Sequence, residues 1–260
     1  MKNGHGAPRV VELWHRFLAR WPQFCCFCHR KTESSRDLCH YCQSYLPPIT
    51  INSANKPPST LCLGCGFCWP DSYSRQECAF CVNTLAQIEL IICPYRYDFP
   101  IDKQIQRLKY QQHLPTGRLL GSLLAVEVQR RLEVTDYPDW IVPVPLNRTR
   151  YRQRGFNQAA EIARWCASSL GIDSLPTAAG RRFETTSLVG LSRAERELNI
   201  VGVFEASECL KGARVAIVDD VMTTGSTAGE LARELLDTGV ADVQLWVVAR
   251  TPITGTAGGS

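Results

Sequence analysis

The sequence predicts an α/β protein, a parallel sheet layered with helices, behind a small cysteine-rich module. Three observations carry this. From about residue 90 to residue 250, strand-sized apolar runs alternate with helix-sized amphipathic stretches, the pattern of parallel βαβ units. Two of those runs, Val215-Ala-Ile-Val218 and Val243-Gln-Leu-Trp-Val-Val-Ala249, are nearly continuous in apolar residues, as strands covered on both faces must be. Eleven of the thirteen cysteines fall between Cys25 and Cys93, which marks a boundary near residue 90. The expected organisation is a ribbon-like module over residues 20–90, an α/β domain over 91–251 and a polar, glycine-rich tail over 252–260.

Along the α/β part, Ile88 to Cys93 reads as a buried strand that Tyr95-Arg-Tyr97 extends or turns. Ile101, Ile105 and Leu108 recur at helical spacing. Arg118 to Leu132 is a second helix, with Leu119, Leu120, Leu123, Leu124, Val126 and Val128 as its core face. Trp140 to Val144 is the next strand and Phe156 to Leu170 the next helix, stopped by Gly171, which tolerates the left-handed conformation. The strand Val215–Val218 leads to a helix from Ser226 or Thr227 to about Asp237, closed by Gly239, and Val243–Ala249 is the last strand. In such sheets ligands sit at the carboxyl ends of the strands.

Over 260 residues, 45% are hydrophobic and 21% charged, with a net charge of +4, the balance of a soluble globular protein with no disordered or membrane bias, which decides little about partners. Charged residues interrupt Met1 to Arg20, and no apolar run approaches the roughly 20 residues a membrane helix needs. The expectation is a cytoplasmic protein without membrane insertion.

Four Cys-x-x-Cys pairs stand in a row: Cys25/Cys28, Cys39/Cys42, Cys62/Cys65 and Cys78/Cys81. Two residues between thiolates let both reach one ion from a tight turn, and two such turns complete a closed four-sulfur site of the structural zinc type. Pro47 to Thr60 separates the two sets as a linker. Two Zn2+ follow whether neighbouring pairs combine or the pairs interleave; spacing allows both, and disulfide or redox use of the thiols is the alternative. Cys26 competes with Cys25 as a ligand, while His29 and His40 lie beside sets already complete.

After Val218 the chain reads Asp219-Asp220-Val221-Met222-Thr223-Thr224-Gly225-Ser226-Thr227 and enters a helix. Gly225 lets the turn tighten, and the backbone N–H groups of Thr223 to Thr227, with four hydroxyls, make a cradle for a phosphate. The adjacent carboxylates would repel phosphate, so ribose hydroxyls and Mg2+ are their natural partners. Arg148, Arg150, Arg152 and Arg154 alternate with other residues. In an extended segment that places all four guanidinium groups on one side, suited to a pyrophosphate, with Gly155 ending the run and Asn157 opening the helix beyond. Arg193 and Arg196 form a second basic segment able to close as a lid.

The acid-pair string resembles the 5-phosphoribosyl 1-pyrophosphate (PRPP) motif of type I phosphoribosyltransferases. Together with the cysteine pairs, Leu108-Lys-Tyr110, Val142-Pro-Val-Pro-Leu146, Arg154-Gly-Phe-Asn-Gln158 and Leu191-Ser-Arg193 with Arg196 and Asn199, it is similar to the ComF family of competence-related proteins, including its GntX-like members, from about Cys25 to Arg250. The resemblance implies a double zinc ribbon fused to a parallel-sheet phosphoribosyltransferase fold, PRPP with Mg2+ as ligands, and a role in handling incoming single-stranded DNA with other DNA-uptake proteins. Asp219, Asp220, Arg154, Arg193 and Arg196 would act at the reacting centre. Val221 to Thr227, Arg148, Arg150 and Asn157 would hold the PRPP. One departure is Leu188, where relatives usually carry Gln. Three functions stay open: a PRPP-dependent transferase, a single-stranded nucleic-acid-binding module with PRPP as effector, and a PRPP- or purine-sensing regulator.

Overall fold

The computed structural model describes residues 23–32, 37–49, 84–183 and 201–251. The chain falls into two compact units, Met1–Tyr45 and Leu46–Ser260. The expected ribbon region spans this division. Cys62, Cys65, Cys78 and Cys81, the basic segment with Arg193 and Arg196, Leu188 and the tail 252–260 lie outside the described residues.

In the first unit, strands β1 (Gln23–Phe24) and β2 (Lys31–Thr32) pair antiparallel, and a one-turn helix α1 (His40–Gln43) follows. The turn between the strands carries Cys25 and Cys28, and α1 carries Cys42 behind Cys39 at its N-cap.

The second unit is the α/β sheet. Its elements are β3 (Leu90–Ile92), β4 (Tyr95–Arg96), α2 (Ile101–Gln111), α3 (Leu114–Arg131), β5 (Trp140–Pro143), α4 (Arg148–Arg154), α5 (Gln158–Leu170), β6 (Asp173–Ser174), the antiparallel pair β7 (Ala179–Arg181) and β8 (Phe204–Ala206), β9 (Arg214–Met222), α6 (Ser226–Asp237) and β10 (Asp242–Arg250). The sheet runs β3-β10-β9-β5-β6, with β4 also pairing β10, and every pairing in it is parallel. This is the parallel α/β layout expected for a phosphoribosyltransferase-type domain.

The core follows from the strand pattern. Eight of the nine residues of β10 are buried, and Val215 to Val218 of β9 are fully so. Alternation sends Val215 and Ile217 to the side where Leu231 and Leu235 of α6 pack, and Ala216 and Val218 to the opposite side, which α5 covers. Gly171 (φ +71°) ends α5, and Gly239 (φ +98°) follows α6, both in the left-handed region as expected.

Strand β9 is longer than the apolar run suggested. It reaches Met222, because β10 continues to pair with it at Val221 and Met222. On its other edge β5 stops sooner: the last rung is Val144 N–H to the Val218 carbonyl at 2.9 Å, after which the chain turns away at Pro145. Residues 219–222 of β9 thus overhang their neighbour. Chain order reverses here, since β5 leads outward to β6 while β9 leads the other way to β10, and this makes the gap between β5 and β9 a topological switch point.

Candidate functional site

The overhang places the acid pair at the switch point. Asp219 and Asp220 leave β9 on opposite faces. Asp219 is partly exposed and its Oδ1 accepts from the Asp220 backbone N–H at 2.8 Å. Burial, reinforced by the neighbouring Asp220 charge, pushes the Asp219 carboxyl well above the usual carboxylate range. Asp220 is 3% exposed, and burial alone would raise it too, but the Lys109 ammonium beside it outweighs that and holds it below the usual range. Its Oδ2 is ion-paired with Lys109 Nζ, and its Oδ1 accepts from Gln158 Nε2 at 3.3 Å. The Asp220 charge in turn raises Lys109 against the opposing effect of its own burial.

Beyond Met222 the chain bends through Thr223 and Thr224 to Gly225, whose φ of +68° makes the turn into α6 that a side chain would strain. Gly225 holds the N-cap position and supplies no side-chain acceptor, so the first-turn N–H groups of the twelve-residue helix point into the turn. Thr224 Oγ1 and Ser226 Oγ lie 3.0 Å apart beside them. Thr223 is exposed, Thr224 and Thr227 are partly so, and Ser226 is buried. Val221 is partly exposed, but Met222 is buried, its sulfur accepting from Arg250 Nη1 at 3.8 Å, so the Met222 side chain belongs to the core.

The arginine run is a correction. It is a helix, α4, and not an extended segment. Asn147 caps it, its side chain accepting from Thr149 N–H at 2.8 Å, and Gly155 (φ +82°) ends it with N–H to the Tyr151 carbonyl at 2.7 Å. On a helix the four arginines divide: Arg148 with Arg152, and Arg150 with Arg154, each pair one turn apart. Arg148, Arg150 and Arg152 are exposed. Arg154 is partly buried; its Nη1 donates to Gln158 Oε1, and its guanidinium lies 5.7 Å from the Tyr110 ring centre. Asn157 caps α5, accepting from Ala159 N–H at 3.0 Å and donating to the Val144 carbonyl at 2.9 Å, which ties the start of α5 to the end of β5.

The structure thus draws together Asp219, Asp220, Arg154 and the start of α6. Lys109 and Gln158 complete the cluster. The sequence reading placed neither at this site, counting Lys109 among the cations suited to a single strand, although both stand in the short motifs Leu108-Lys-Tyr110 and Arg154-Gly-Phe-Asn-Gln158. Arg148 lies elsewhere, on a cleft of about 710 Å³ that Tyr151, Phe156, Asn157, Arg164 and Arg181 also line.

In the first unit, Cys25, Cys28, Cys39 and Cys42 converge, each sulfur within 4.8 Å of the others. Neighbouring pairs combine here, and the member of the Cys25-Cys26 doublet is Cys25. Cys28 and Cys39 Sγ are 3.7 Å apart, against about 3.8 Å for two corners of a tetrahedron with metal–sulfur bonds of about 2.3 Å. Cys39 Sγ accepts from Cys42 N–H at 3.4 Å. Burial would raise the Cys25 thiol, yet the backbone N–H groups about Cys39, Cys28 and Phe27 bring it down to about 7. The Cys42 thiol is pushed up by burial and by the sulfurs crowded against it. A divalent cation among the four removes that conflict, so the donor set fits a metal site.

Among the described residues no helix is long and apolar enough to cross a membrane.

No protein-family model matches the chain. The DNA utilization protein YhgH of Escherichia coli (strain K12) is 33% identical over 200 residues, 76% of this chain and 87% of that protein. Competence protein F of Haemophilus influenzae is 33% identical over 192 residues, 72% of this chain and 84% of that protein. Among solved structures, a glutamine PRPP amidotransferase from B. subtilis is 20% identical, covering 50% of this chain and 25% of its own, with a TM-score of 0.35. A purine phosphoribosyltransferase from Pyrococcus horikoshii is 15% identical, covering 65% of this chain and 98% of its own, with a TM-score of 0.31. At one-third identity over most of both sequences, the protein belongs to the family of competence protein F and the DNA utilization proteins named YhgH.

Proposed function

We propose that this protein binds PRPP at the β5/β9 switch point and acts in the handling of DNA taken up by the cell. The observation that carries the reading is the overhang itself: an acid pair on β9 runs without interruption into the open N-terminus of α6. The phosphate of PRPP sits on the first-turn N–H groups and the hydroxyls of Thr223, Thr224 and Thr227. The ribose hydroxyls donate to Asp219, the partly exposed member of the acid pair, and Arg154 lies on the pyrophosphate side, where the lid residues Arg193 and Arg196 are also expected. Mg2+ fits the oxygen donors present. One carboxylate with ligand phosphates and water is a usual set for this ion, and Asp219, whose carboxyl is pushed up by burial and by the Asp220 charge, gains from a cation. When bound, the ion offsets the charge of the pyrophosphate. The four-sulfur cluster takes Zn2+ as a closed structural site, and the second cysteine set takes another.

The relatives' names, DNA utilization protein and competence protein, support the role in DNA uptake. A second reading, binding of single-stranded DNA with PRPP as effector, draws on α4, where Arg148, Arg150 and Arg152 are exposed beside Tyr151 at 50% exposure. Calorimetry of PRPP with Mg2+, repeated with single-stranded DNA, tests both readings. PRPP binding abolished by Asp219→Asn supports the first. Heat from DNA alone supports the second, and a PRPP affinity changed by DNA shows that the two ligands are coupled. No heat from PRPP in the wild type refutes the first reading.

A further inference from the structure

We propose that Lys109 is a positioning residue: it commits Asp220 to a buried ion pair, so that Asp219 alone of the two acids meets the ligand. The ligand's identity rests on the phosphoribosyl reading above; the geometry does not. Both Asp220 oxygens are engaged, one by Lys109 and one by Gln158, and the Asp220 and Lys109 side chains are only 4% and 19% exposed. For Asp220 to turn to a ribose hydroxyl or a cation, it would have to leave an ammonium desolvated and unpaired. Breaking a buried pair from one side costs far more than the pair contributes. Asp219, on the opposite face of β9, is partly exposed, and its side chain is held by the Asp220 backbone N–H.

The Asp220 carboxylate has other work. It orients the Gln158 amide, whose carbonyl end accepts from Arg154. Arg154 also lies over the ring of Tyr110, the neighbour of Lys109 along α2. The chain of contacts therefore closes: α2 supplies Lys109 and Tyr110, β9 supplies Asp220, α5 supplies Gln158, and the last residue of α4 is set between them. Of the four arginines on α4, this network selects one and fixes it at the carboxyl ends of the strands.

The test is a double-variant cycle with two readouts, Mg-PRPP affinity by calorimetry and urea unfolding without ligand, on Lys109→Met, Asp220→Asn, the double variant, Lys109→Arg and Asp219→Asn. Lys109→Met strands a buried carboxylate and is expected to weaken affinity by about 10-fold, the usual loss when a supporting partner is removed. Adding Asp220→Asn restores most of it, because a neutral amide needs no cation. Lys109→Arg retains affinity, and Asp219→Asn abolishes it with unfolding little changed. A double variant that binds worse than Lys109→Met overturns the proposal, since Asp220 would then touch the ligand itself. In the unfolding arm, Lys109→Met and Asp220→Asn are expected to be strongly non-additive, and strict additivity overturns the pair. If the wild type binds no PRPP, the phosphoribosyl reading falls, and the unfolding arm still decides whether Lys109 holds Asp220.

Discussion

Replacing Gly121 with alanine tests the packing that carries the site. Gly121 lies in α3 where that helix crosses α5, and a Cβ there would stand 2.6 Å from the Ile162 carbonyl oxygen, 2.7 Å from Trp165 Cβ and 3.0 Å from Cys166 N. Ordinary contact begins at 3.4 Å, so the helices must part by up to 0.8 Å, and two of the three obstacles are backbone, which cannot swing aside. Overpacking of this kind costs about 1–3 kcal/mol, and alanine returns about 1 kcal/mol of helix propensity. With backbone as the obstacle the overpacking cost falls in the upper half of that range, about 2–3 kcal/mol, so the expected net loss is about 1–2 kcal/mol, or a fall in Tm of about 2–8 °C for a domain of this size. The effect should reach the site, because α5 begins with the Asn157 cap on Val144 and with Gln158 on Asp220. Urea unfolding measures the first consequence and PRPP affinity the second. A Gly121→Ala protein as stable as the wild type would refute the close approach of α3 and α5. Gly171→Ala, strained by its φ of +71° but with nothing within 4 Å of the new Cβ, should lose about 1 kcal/mol of stability without the functional effect.

Metal analysis of the purified protein should find about two Zn2+ per chain, and Cys42→Ser should lower that by one. A wild-type value of one would confine the metal to Cys25, Cys28, Cys39 and Cys42. Asp242 offers a pH test. Burial first, then the neighbouring Glu89, raises its carboxyl to about 6, so the folded state holds this proton more tightly than the unfolded chain. Stability from this group is therefore present at low pH and lost as pH rises from about 4 to about 6. Asp242→Asn should raise the unfolding free energy from urea titration at pH 7.5, by less than about 1 kcal/mol after solvent screening, and the gain should vanish near pH 4; a gain that persists at pH 4 would point to another cause. If α4 meets single-stranded DNA, Arg150→Ala and Arg152→Ala should each reduce the salt dependence of binding by about one counterion, read from titrations at several salt concentrations.

Most of the sheet was legible because its strands announce themselves. The apolar runs Val215–Val218 and Val243–Ala249 admit few other readings, and Gly171 and Gly239 mark helix ends through the backbone angles they permit. The antiparallel pair of β7 and β8 was not legible, since three-residue strands are too short for a period to show. The arginine segment misled because alternation was weighed above the caps. Asn147 and Gly155, both in plain view, enclose seven residues of which five are good helix formers, and local capping decided the conformation. Lys109 and Gln158 escaped for a different reason. Their partner, Asp220, is remote in the chain, and only the packing of α2 and α5 against one face of β9 brings the three together.

The unequal lengths of β5 and β9 have a consequence for how such a protein can vary. Residues 219–222 are anchored along a single edge, by β10, like a shelf bracketed to one wall. On the other side, past Pro145, a side-chain contact reaches the shelf, that of Gln158 of α5 on Asp220. Substitutions or insertions there can reshape what approaches the acid pair while the floor beneath it keeps its register. A protein built this way can change the partner it meets and leave the phosphate turn untouched.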